Sequence, residues 1–242
     1  MKVLITGANG MLGSVLSTLY KDAVLLSGKK DLDLTCSKSI DSYFKNKEFD
    51  TIIHCAAYTN LDWCDRNPID THSLHSTAVP LLQRHCKKLI YISTNPTSSK
   101  RIYYISKIIG EKFTLTRPND LVIRTNIYGN GGLFKWAVDS ITEHKQIGGY
   151  CNVMFNPVSV YQLSDFIYKR SQDLTGSINV CSDTVISKYQ FIKDVAEKLK
   201  LNLNLIEPVK INGDLDLTIP KEKSIVYNYQ EGIDLLCKKL TL

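Results

Sequence analysis

The sequence predicts an α/β protein with a Rossmann-type, doubly wound parallel sheet and a smaller C-terminal lobe. Strand-like and helix-like segments alternate over the first two thirds of the 242 residues, as in sheets whose parallel strands are joined by helices. A glycine-rich turn directly follows the first strand, and the alternation changes beyond 128–132. The chain is long enough for one large domain, or two closely joined ones, with a well-buried core.

The strands of the first part are short apolar runs bounded by turn residues, predicted at 3–5, 23–26, 51–55, 89–92 and 121–123. Apolar residues at helical spacing predict helices at 11–19, around 40–44, at about 70–86 and from 103 to about 115. In the second part, helices near 134–143, 162–171, 187–199 and 233–240 alternate with strands near 151–154 and 178–181. At least one segment of the second part is expected to return to the sheet.

Composition and charge indicate an ordinary soluble protein. Apolar residues make up 43% and charged residues 22%, and the net charge of +6 comes from scattered lysines without a basic run. The chain begins with a predicted core strand instead of a signal peptide, and no apolar run approaches about 18 residues. Seven cysteines without CxxC spacing indicate reduced thiols. We therefore expect a cytoplasmic protein whose partners include neither a membrane nor a nucleic acid.

Three glycines at GxxGxxG spacing indicate a dinucleotide site at the start of the first helix. Gly7 permits a tight turn out of the strand, Gly10 lets the backbone approach a diphosphate, and Gly13 allows close packing of the helix on the sheet. The free N–H groups and positive dipole end of that helix then bind the anion. We therefore assign 1–127 to a dinucleotide-binding Rossmann domain and 128–242 to a smaller substrate-binding lobe.

The segment after the second strand favours NADP(H) over NAD(H). An NAD site usually has Asp or Glu about 20 residues beyond the first glycine, on the ribose 2′-hydroxyl. Here residues 26–30 are Leu-Ser-Gly-Lys-Lys, and the first acid is Asp31. Lys29 and Lys30 suit a 2′-phosphate, and Ser27 can add a hydrogen bond. A lysine-rich surface turn, with NAD(H) as the cofactor, is the alternative.

Tyr103 and Lys107 are the candidate catalytic pair. Residues four apart share a helix face, so the phenol and the ammonium project into the same space. The ammonium is expected to lower the phenol pKa from about 10, and it can also hold the nicotinamide ribose. A hydroxyl from Ser93 or Thr94, at the end of the preceding strand, can polarise a carbonyl. The predicted reaction is hydride transfer to the carbonyl carbon with protonation by Tyr103, and an ordinary amphipathic helix is the alternative.

The sequence predicts no metal site and no nucleophile–histidine–acid arrangement. His54 lies in a buried strand and is expected to be a satisfied core residue. His72, His75 and His85 are scattered along a helix without a carboxylate or cysteine partner.

Several segments resemble the extended short-chain dehydrogenase/reductases, and specifically the dTDP-4-dehydrorhamnose reductase branch. The resemblance covers nearly the whole chain, with motifs at 3–13, 31–35, 54–62, 103–111, 123–129, 155–160 and 187–191. It implies that Thr94, Tyr103 and Lys107 are the catalytic residues. It also implies reduction of a 4-keto-6-deoxy sugar attached to a nucleotide diphosphate, for the synthesis of a deoxyhexose and a surface polysaccharide.

The glycine turn, the lysine segment and the resemblance together imply a set of cofactor-binding residues. They are Gly7, Asn9, Gly10, Met11, Leu12, Gly13, Ser27, Lys29, Lys30, Asp33, Leu34, Cys55, Ala56, Ala57, Tyr58, Tyr103, Lys107, Thr125 and Asn126. The expected partner is a nucleotide-sugar substrate. Because the family commonly forms dimers, the resemblance also implies a homodimer.

Three departures from the family pattern concern the substrate side of the site. Only eight residues, 95–102, separate Thr94 from Tyr103, where the family has a markedly longer loop. His75 replaces the asparagine usually found on the preceding helix, and Tyr104 follows the catalytic tyrosine where the family often has glycine. These changes leave the cofactor site alone and bear on which sugar is bound.

Two other functions remain open from the sequence. One is a non-catalytic NADP-binding regulatory subunit resembling that of methionine adenosyltransferase, which the short loop favours and the intact set of Thr94, Tyr103 and Lys107 opposes. The other is epimerase chemistry on a nucleotide sugar. Dehydration ranks lower, because Asn95 cannot transfer a proton as a carboxylic acid would.

Overall fold

The computed structural model describes residues 1–95, 99–222 and 224–240. Its strands are β1 Val3–Thr6, β2 Val24–Leu26, β3 Phe49–His54, β4 Cys86–Ser93, β5 Leu121–Thr125, β6 Ile127–Tyr128, β7 Ile147–Tyr150, β8 Val153–Phe155, β9 Val158–Ser159, β10 Gly176–Ser182, β11 Ile186–Ser187, β12 Ile206–Val209, β13 Leu215–Asp216 and β14 Ser224–Tyr227. Its α-helices are α1 Met11–Leu19, α2 Ser37–Phe44, α3 Leu61–Arg66, α4 Pro68–His72, α5 Ala78–Gln83, α6 Ile102–Thr114, α7 Gly132–Thr142, α8 Val160–Arg170, α9 Lys188–Lys198 and α10 Tyr229–Leu240. A π-helical turn occupies Ser73–Thr77, and 3₁₀ turns occupy Ser171–Asp173 and Leu203–Leu205.

A seven-stranded sheet with the order β14-β10-β5-β4-β3-β1-β2 confirms the doubly wound α/β class. β1 pairs in parallel with both β2 and β3, and the parallel pairing continues from β3 to β4 and from β4 to β5. β2 lies on one side of β1, whereas β3 and then β4 lie on its other side. The switch point of the sheet therefore lies between β1 and β3, and ligands of open α/β sheets bind at the strand ends there.

The chain divides into two compact units. The first comprises 1–124 and 166–178, and the second comprises 125–165 and 179–242. In the first unit, the apolar core joins β1, β3 and α5 through side chains that include Leu4, Ile52 and Leu82. In the second unit, the core joins α7 and α9 through side chains that include Phe134 and Phe191. Each unit thus buries an apolar cluster of its own.

The helix predicted at about 70–86 is the clearest difference from the sequence-based expectation. It is divided into α4, the π-helical turn and α5, and the chain has already entered β4 at Cys86. A π turn shifts the apolar stripe only locally, so periodicity does not reveal it. The short helix α3 and the two-residue strands β6, β9, β11 and β13 are also absent from the expectation. Such strands are too short to show an alternating pattern.

The cysteines agree with the expectation of reduced thiols, because Cys36, Cys55, Cys64, Cys86, Cys151, Cys181 and Cys237 are all free. Within 1–95, 99–222 and 224–240, none of the helices is both long and apolar enough to cross a bilayer. In the same ranges, His, Cys, Asp and Glu side chains do not gather into a group that could hold a metal ion.

Candidate active site

A groove of about 300 Å³ lies at the carboxyl ends of β1, β2 and β3, beside the switch point of the sheet. The turn after β1, the segment after β2 and the loop after β3 form most of its walls. Its lining residues are Gly7, Gly10, Leu26, Ser27, Gly28, Lys29, Leu32, Asp33, Leu34, Thr35, Cys55, Ala56, Ala57, Tyr58 and Leu74. All of them belong to the first unit. The groove therefore occupies the place where a sheet of this class binds its ligand.

The turn after β1 requires glycine at two positions. Gly7 has a φ of 66°, and a Cβ there would lie 2.8 Å from the Ala56 Cα. A Cβ on Gly13 would lie 2.1 Å from the Gly7 carbonyl oxygen, so α1 packs directly against the turn. The Gly10 N–H closes the turn by donating to the Gly7 carbonyl at 2.9 Å. Because Gly10 is both the N-cap of α1 and part of the groove, the free N–H groups of the helix are available to a phosphate.

Acidic side chains organise the segment after β2. The Ser27 N–H donates to Asp31 Oδ2 at 2.6 Å. The Lys29 Nζ lies 3.8 Å from Asp33 Oδ2 and 3.4 Å from Thr35 Oγ1. The Thr35 hydroxyl donates to Asp33, which lowers the pKa of that carboxyl. Lys29 therefore reaches the groove as a half-exposed cation that can pair with a phosphate.

A buried histidine fixes the loop after β3 to β1. The His54 Nε2–H donates to the Leu74 carbonyl at 3.2 Å, so its Nδ1 accepts from Thr6 Oγ1 at 2.8 Å. The Ala56 N–H in turn donates to Thr6 Oγ1 at 3.2 Å. Burial lowers the pKa of His54 to about 3, and the ring is neutral. His54 is thus the satisfied core residue that the sequence predicts.

The groove brings together many of the residues predicted to bind a cofactor. Those that line it are Gly7, Gly10, Ser27, Lys29, Asp33, Leu34, Cys55, Ala56, Ala57 and Tyr58. Asn9, Met11, Leu12, Gly13 and Lys30 lie in the same unit without lining it, and Leu12 is a core residue. Thr125 and Asn126 belong to the second unit, where Asn126 Nδ2 donates to the Leu217 carbonyl at 2.7 Å.

Sequence reasoning missed several groove residues. They are Leu26, Gly28, Leu32, Thr35 and Leu74. The leucines carry no distinguishing pattern, because an apolar residue at the edge of a groove has the same spacing as one in the core. Gly28 and Thr35 are next to residues that were predicted to bind the cofactor. This proximity in the sequence was the signal that could have identified them.

Thr94, Tyr103 and Lys107 come from the end of β4 and the first half of α6. The Tyr103 phenol is hydrogen-bonded to the Thr94 side chain, and Thr94 Oγ1 donates to Asn95 Oδ1 at 3.1 Å. The Lys107 ammonium lies 4.3 Å from the centroid of the Tyr91 ring, in a cation–π contact. Among the residues that the structure describes, the buried Asn95 Nδ2 has no hydrogen-bond partner. Thr94 and Tyr103 are therefore close together, with the Asn95 amide beside them, and Lys107 follows one turn further along α6.

Burial controls the protonation of the two candidate catalytic groups. It raises the pKa of Tyr103 to about 12, although the hydrogen bond with Thr94 acts in the opposite direction. It lowers the pKa of Lys107 to about 8, against the attraction of Glu111. The expectation that the ammonium lowers the phenol pKa is therefore wrong, because desolvation raises that pKa and Lys107 contacts Tyr91 instead. At neutral pH the site holds a neutral phenol and a charged ammonium.

Ionic contacts fix α6 at both ends. Towards its C-terminus, Glu111 accepts from Arg124 Nη2 at 2.6 Å and from Ser93 Oγ at 2.5 Å. At its start, Asp65 accepts from Arg101 Nε at 2.8 Å. Glu111 is buried and its partner Arg124 is mostly so, with 8% and 28% of their side chains exposed. The helix that carries the phenol and the ammonium therefore has little freedom to move.

Comparison with known proteins finds relatives along most of the chain. The family described as RmlD substrate binding domain matches residues 1–216. The spore coat polysaccharide biosynthesis protein SpsK of Bacillus subtilis is 26% identical over 231 residues, covering 85% of this chain and 82% of that protein. The dTDP-4-dehydrorhamnose reductase of Mycolicibacterium smegmatis is 28% identical over 155 residues, covering 54% of this chain and 47% of that protein.

A solved structure shares the fold over the full length. The dTDP-4-dehydrorhamnose reductase of Bacillus anthracis, in complex with NADP, has a TM-score of 0.86 and 22% identity, and the match covers 98% of this chain and 99% of that one. At this level of identity the similarity establishes the fold, and the activity has to be argued from the site.

Proposed function

The chain belongs to the RmlD substrate binding domain family, and from this premise we propose that it reduces the 4-keto group of a nucleotide-diphosphate 6-deoxysugar with NADPH. Such a reaction contributes to deoxyhexose and surface polysaccharide synthesis. The observation that carries the proposal is the hydrogen bond between Tyr103 and Thr94, with Lys107 one turn further along α6. The named relatives support it, because they include reductases of this kind.

NADPH suits the residues that form the groove. Gly7 and Gly13 leave no room for a Cβ, so the turn packs tightly against Ala56 and α1. Gly10, at the start of α1, lets the backbone come close to a diphosphate. Lys29 adds a half-exposed positive charge suited to the 2′-phosphate. The structural relative from Bacillus anthracis is described in complex with NADP, which supports the same choice. NAD(H) is the alternative cofactor.

The protein's own residues supply the proton and hold the phenol. NADPH, which the groove around Gly10 and Lys29 would hold, would supply the hydride for the carbonyl carbon. Tyr103 donates its phenolic proton to the carbonyl oxygen, so that the ketone becomes a secondary alcohol. A pKa of about 12 keeps the phenol protonated at neutral pH, which is the form that a reduction requires. Thr94 orients the phenol, the Lys107 ammonium would hold the nicotinamide ribose, and solvent restores the proton that Tyr103 donates.

The free donor of Asn95 supports an oxygen-rich ligand at the same place. An unpaired buried donor costs about 1–3 kcal/mol, which a ligand oxygen would recover. Asn95 Oδ1 is already bonded to Thr94, so the amide is held beside the catalytic hydroxyl and its Nδ2 is left over. A sugar hydroxyl or the substrate carbonyl would supply the missing acceptor.

The regulatory and epimerase alternatives receive less support. The regulatory alternative depends on the short loop at 95–102, of which 96–98 lies outside the described residues. Burying the Lys107 ammonium carries a cost in stability, as its lowered pKa indicates. A protein that only binds a nucleotide does not need this buried ammonium one turn from a phenol, whereas a reductase does.

The decisive experiment compares NADPH oxidation by the wild type and by Tyr103→Phe, with a freshly prepared dTDP-4-keto-6-deoxy sugar. We expect Tyr103→Phe to lower kcat by about 10²–10⁴, with NADPH still bound, because the proton donor is lost and the ring remains. Tyr104→Phe is the matched control, since it removes the same atom from the adjacent ring 5.1 Å away and should preserve turnover.

Three other results of this experiment would contradict the proposed function or the catalytic role of Tyr103. Equal turnover by Tyr103→Phe and the wild type would overturn the catalytic assignment. A wild type that binds NADPH but reduces no nucleotide sugar would favour the regulatory subunit. NAD(H) that stays bound through purification, without net oxidation, would favour an epimerase.

The remaining assignments are part of the same proposal. Residues 128–242 would supply the substrate-binding lobe, and the protein would work in the cytoplasm, where NADPH and nucleotide sugars are both available. The homodimer stays a prediction, which light scattering of the purified protein at several concentrations can check.

A further inference from the structure

His75 lies at the centre of the π-helical turn Ser73–Thr77 and is completely buried. Turns of this kind are rare and frequently occur at functional sites. The Tyr91 hydroxyl donates to the His75 carbonyl oxygen at 2.7 Å. α6 comes so close that a Cβ on Gly110 would lie 2.2 Å from the same oxygen. The backbone of His75 is therefore packed against both β4 and α6.

The imidazole of His75 links the loop after β3 to α6 through hydrogen bonds that run in one direction. The Tyr58 N–H donates to Nε2 at 2.9 Å, so Nε2 carries no proton. The Nδ1–H then donates to Ser106 Oγ at 2.9 Å. The Ser106 hydroxyl donates to the Tyr103 carbonyl, also at 2.9 Å. These contacts are mutually consistent for only one neutral tautomer, the one with its proton on Nδ1.

We propose that His75 is a positioning residue, which holds Tyr103 in a fixed place relative to the Tyr58 segment of the groove. One contact runs through Ser106 to the Tyr103 backbone. The other is direct, because the His75 ring stands edge-on to the Tyr103 ring, with centroids 5.7 Å apart and planes at 89°. The groove and the proton donor are thereby tied to one side chain. This role rests on the reductase function proposed above.

The link requires a neutral ring. A proton on Nε2 would face the Tyr58 N–H and break the first hydrogen bond. Burial, together with the nearby Lys107, His54 and His72, lowers the pKa of His75 to about 2. The ring therefore keeps the same tautomer over the whole pH range in which an enzyme of this kind is assayed.

The kinetic test compares His75→Leu, which removes both ring hydrogen bonds, with His75→Asn, which keeps one acceptor and one donor. We expect His75→Leu to lower kcat about 100-fold, as a small displacement of a catalytic group does, and to change the KM for NADPH less than about twofold. His75→Asn should recover about tenfold of the lost kcat. His72→Asn is the control from the adjacent helix turn. Its ring Nδ1 lies 3.4 Å from Ser76 Oγ, and the variant should keep the wild-type kcat.

The outcomes separate positioning from simple packing. A folded His75→Leu protein with the wild-type kcat would overturn the proposal, and so would equal losses in the Leu and Asn variants. If His75→Leu does not fold, Ser106→Ala breaks one link and leaves the imidazole in place. We expect it to lower kcat about tenfold at constant KM, and an unchanged kcat would count against the role of His75.

Nitrogen-15 NMR of the imidazole gives a readout that does not depend on turnover. We expect His75 to carry its proton on Nδ1 and to show no titration between about pH 5 and pH 8. Ser106→Ala should shift the Nδ1 resonance. A proton on Nε2, or a titration near the ordinary value of about 6.5, would overturn the link whatever the activity. The expected tautomer in a wild type without reductase activity would overturn the proposed function and leave the link from Tyr58 to Tyr103 standing.

Discussion

The groove and helix α6 belong to the same unit, but they are held in place by different means. In the groove the backbone decides the shape, since Gly7 and Gly13 leave no room for a Cβ. On α6 the side chains decide, since His75 and Glu111 hold the helix through directed hydrogen bonds and an ion pair. A site shaped by the backbone is sensitive to added volume. A site held by side chains is sensitive to the loss of a single donor, acceptor or charge.

Gly13→Ala should have the largest effect on stability, because it adds volume at the turn after β1, where the backbone determines the shape of the groove. Its Cβ would lie 2.1 Å from the Gly7 carbonyl oxygen, a main-chain atom that cannot rotate away. We expect the free energy of unfolding to fall by about 3 kcal/mol and NADPH binding to be lost. Urea denaturation and calorimetry measure the two effects. At Gly28, an added Cβ would meet no described residue within 4 Å apart from its chain neighbours, so Gly28→Ala should change stability by less than about 0.5 kcal/mol. Equal losses in both variants would contradict the steric argument.

The difference between the backbone-shaped groove and the side-chain contacts of α6 also explains which parts of the site the sequence could predict. The glycine spacing lies in one continuous segment, and Tyr103 and Lys107 are four residues apart on a single helix, so both motifs are visible in the sequence. The link through His75 joins its ring to the Tyr58 backbone N–H and the Ser106 hydroxyl, 17 and 31 residues away along the chain. The sequence shows only an unusual residue at this position. The direction of the Tyr103 pKa shift depends on burial, which spacing does not encode.

The pH dependence of the unfolding free energy tests whether Lys107 on α6 is buried. Its pKa of about 8 in the folded protein lies below the ordinary value of 10.5. Between these two values the unfolded chain holds a proton that the folded chain has released, so stability rises with pH by on the order of 3 kcal/mol. Lys107→Met cannot titrate and should lack this rise. The measurement is the difference in unfolding free energy between the two proteins at about pH 7.5 and pH 10. Parallel pH dependences would show that the charge is not buried.

Glu111→Gln removes a charge from the helix side with almost no change in volume. It leaves the mostly buried Arg124 without its carboxylate partner, which should lower the free energy of unfolding by about 2 kcal/mol. Glu143→Gln is the matched control, because its ion pair with Lys145 is exposed and contributes less than about 1 kcal/mol. Urea denaturation of the two variants compares them. Similar small losses would mean that the buried pair does not hold α6.

The same substitution should also move the pH profile of the reaction. The wild-type kcat/KM is expected to fall above about pH 8, where Lys107 loses its proton. Glu111 attracts the ammonium and raises the pKa of Lys107, so its removal lowers that pKa further. In Glu111→Gln the alkaline fall should therefore begin at a lower pH. A fall at an unchanged pH would indicate that a different group controls this limb.

Lys29→Ala should have the smallest effect on stability. It tests whether an exposed side chain of the groove, and not its backbone, selects the cofactor. Its side chain is 55% exposed and lies 3.8 Å from Asp33, so its loss should change stability by less than about 0.5 kcal/mol. If Lys29 binds the 2′-phosphate, the KM for NADPH should rise about threefold to tenfold. The KM for NADH, which lacks that phosphate, should not change. Lys38→Ala removes an exposed lysine from α2 and should leave both KM values unchanged.

Lys29→Arg completes this test, because it keeps the charge and changes the shape of the side chain. A KM for NADPH close to that of the wild type would mean that charge alone is needed at this exposed position. Equal increases for NADPH and NADH in Lys29→Ala would instead mean that the lysine supports the groove as a whole. The expected result assigns the shape of the groove to the glycine backbone and its choice of cofactor to an exposed side chain. Specificity for the cofactor could then change without disturbing the fold or the catalytic helix.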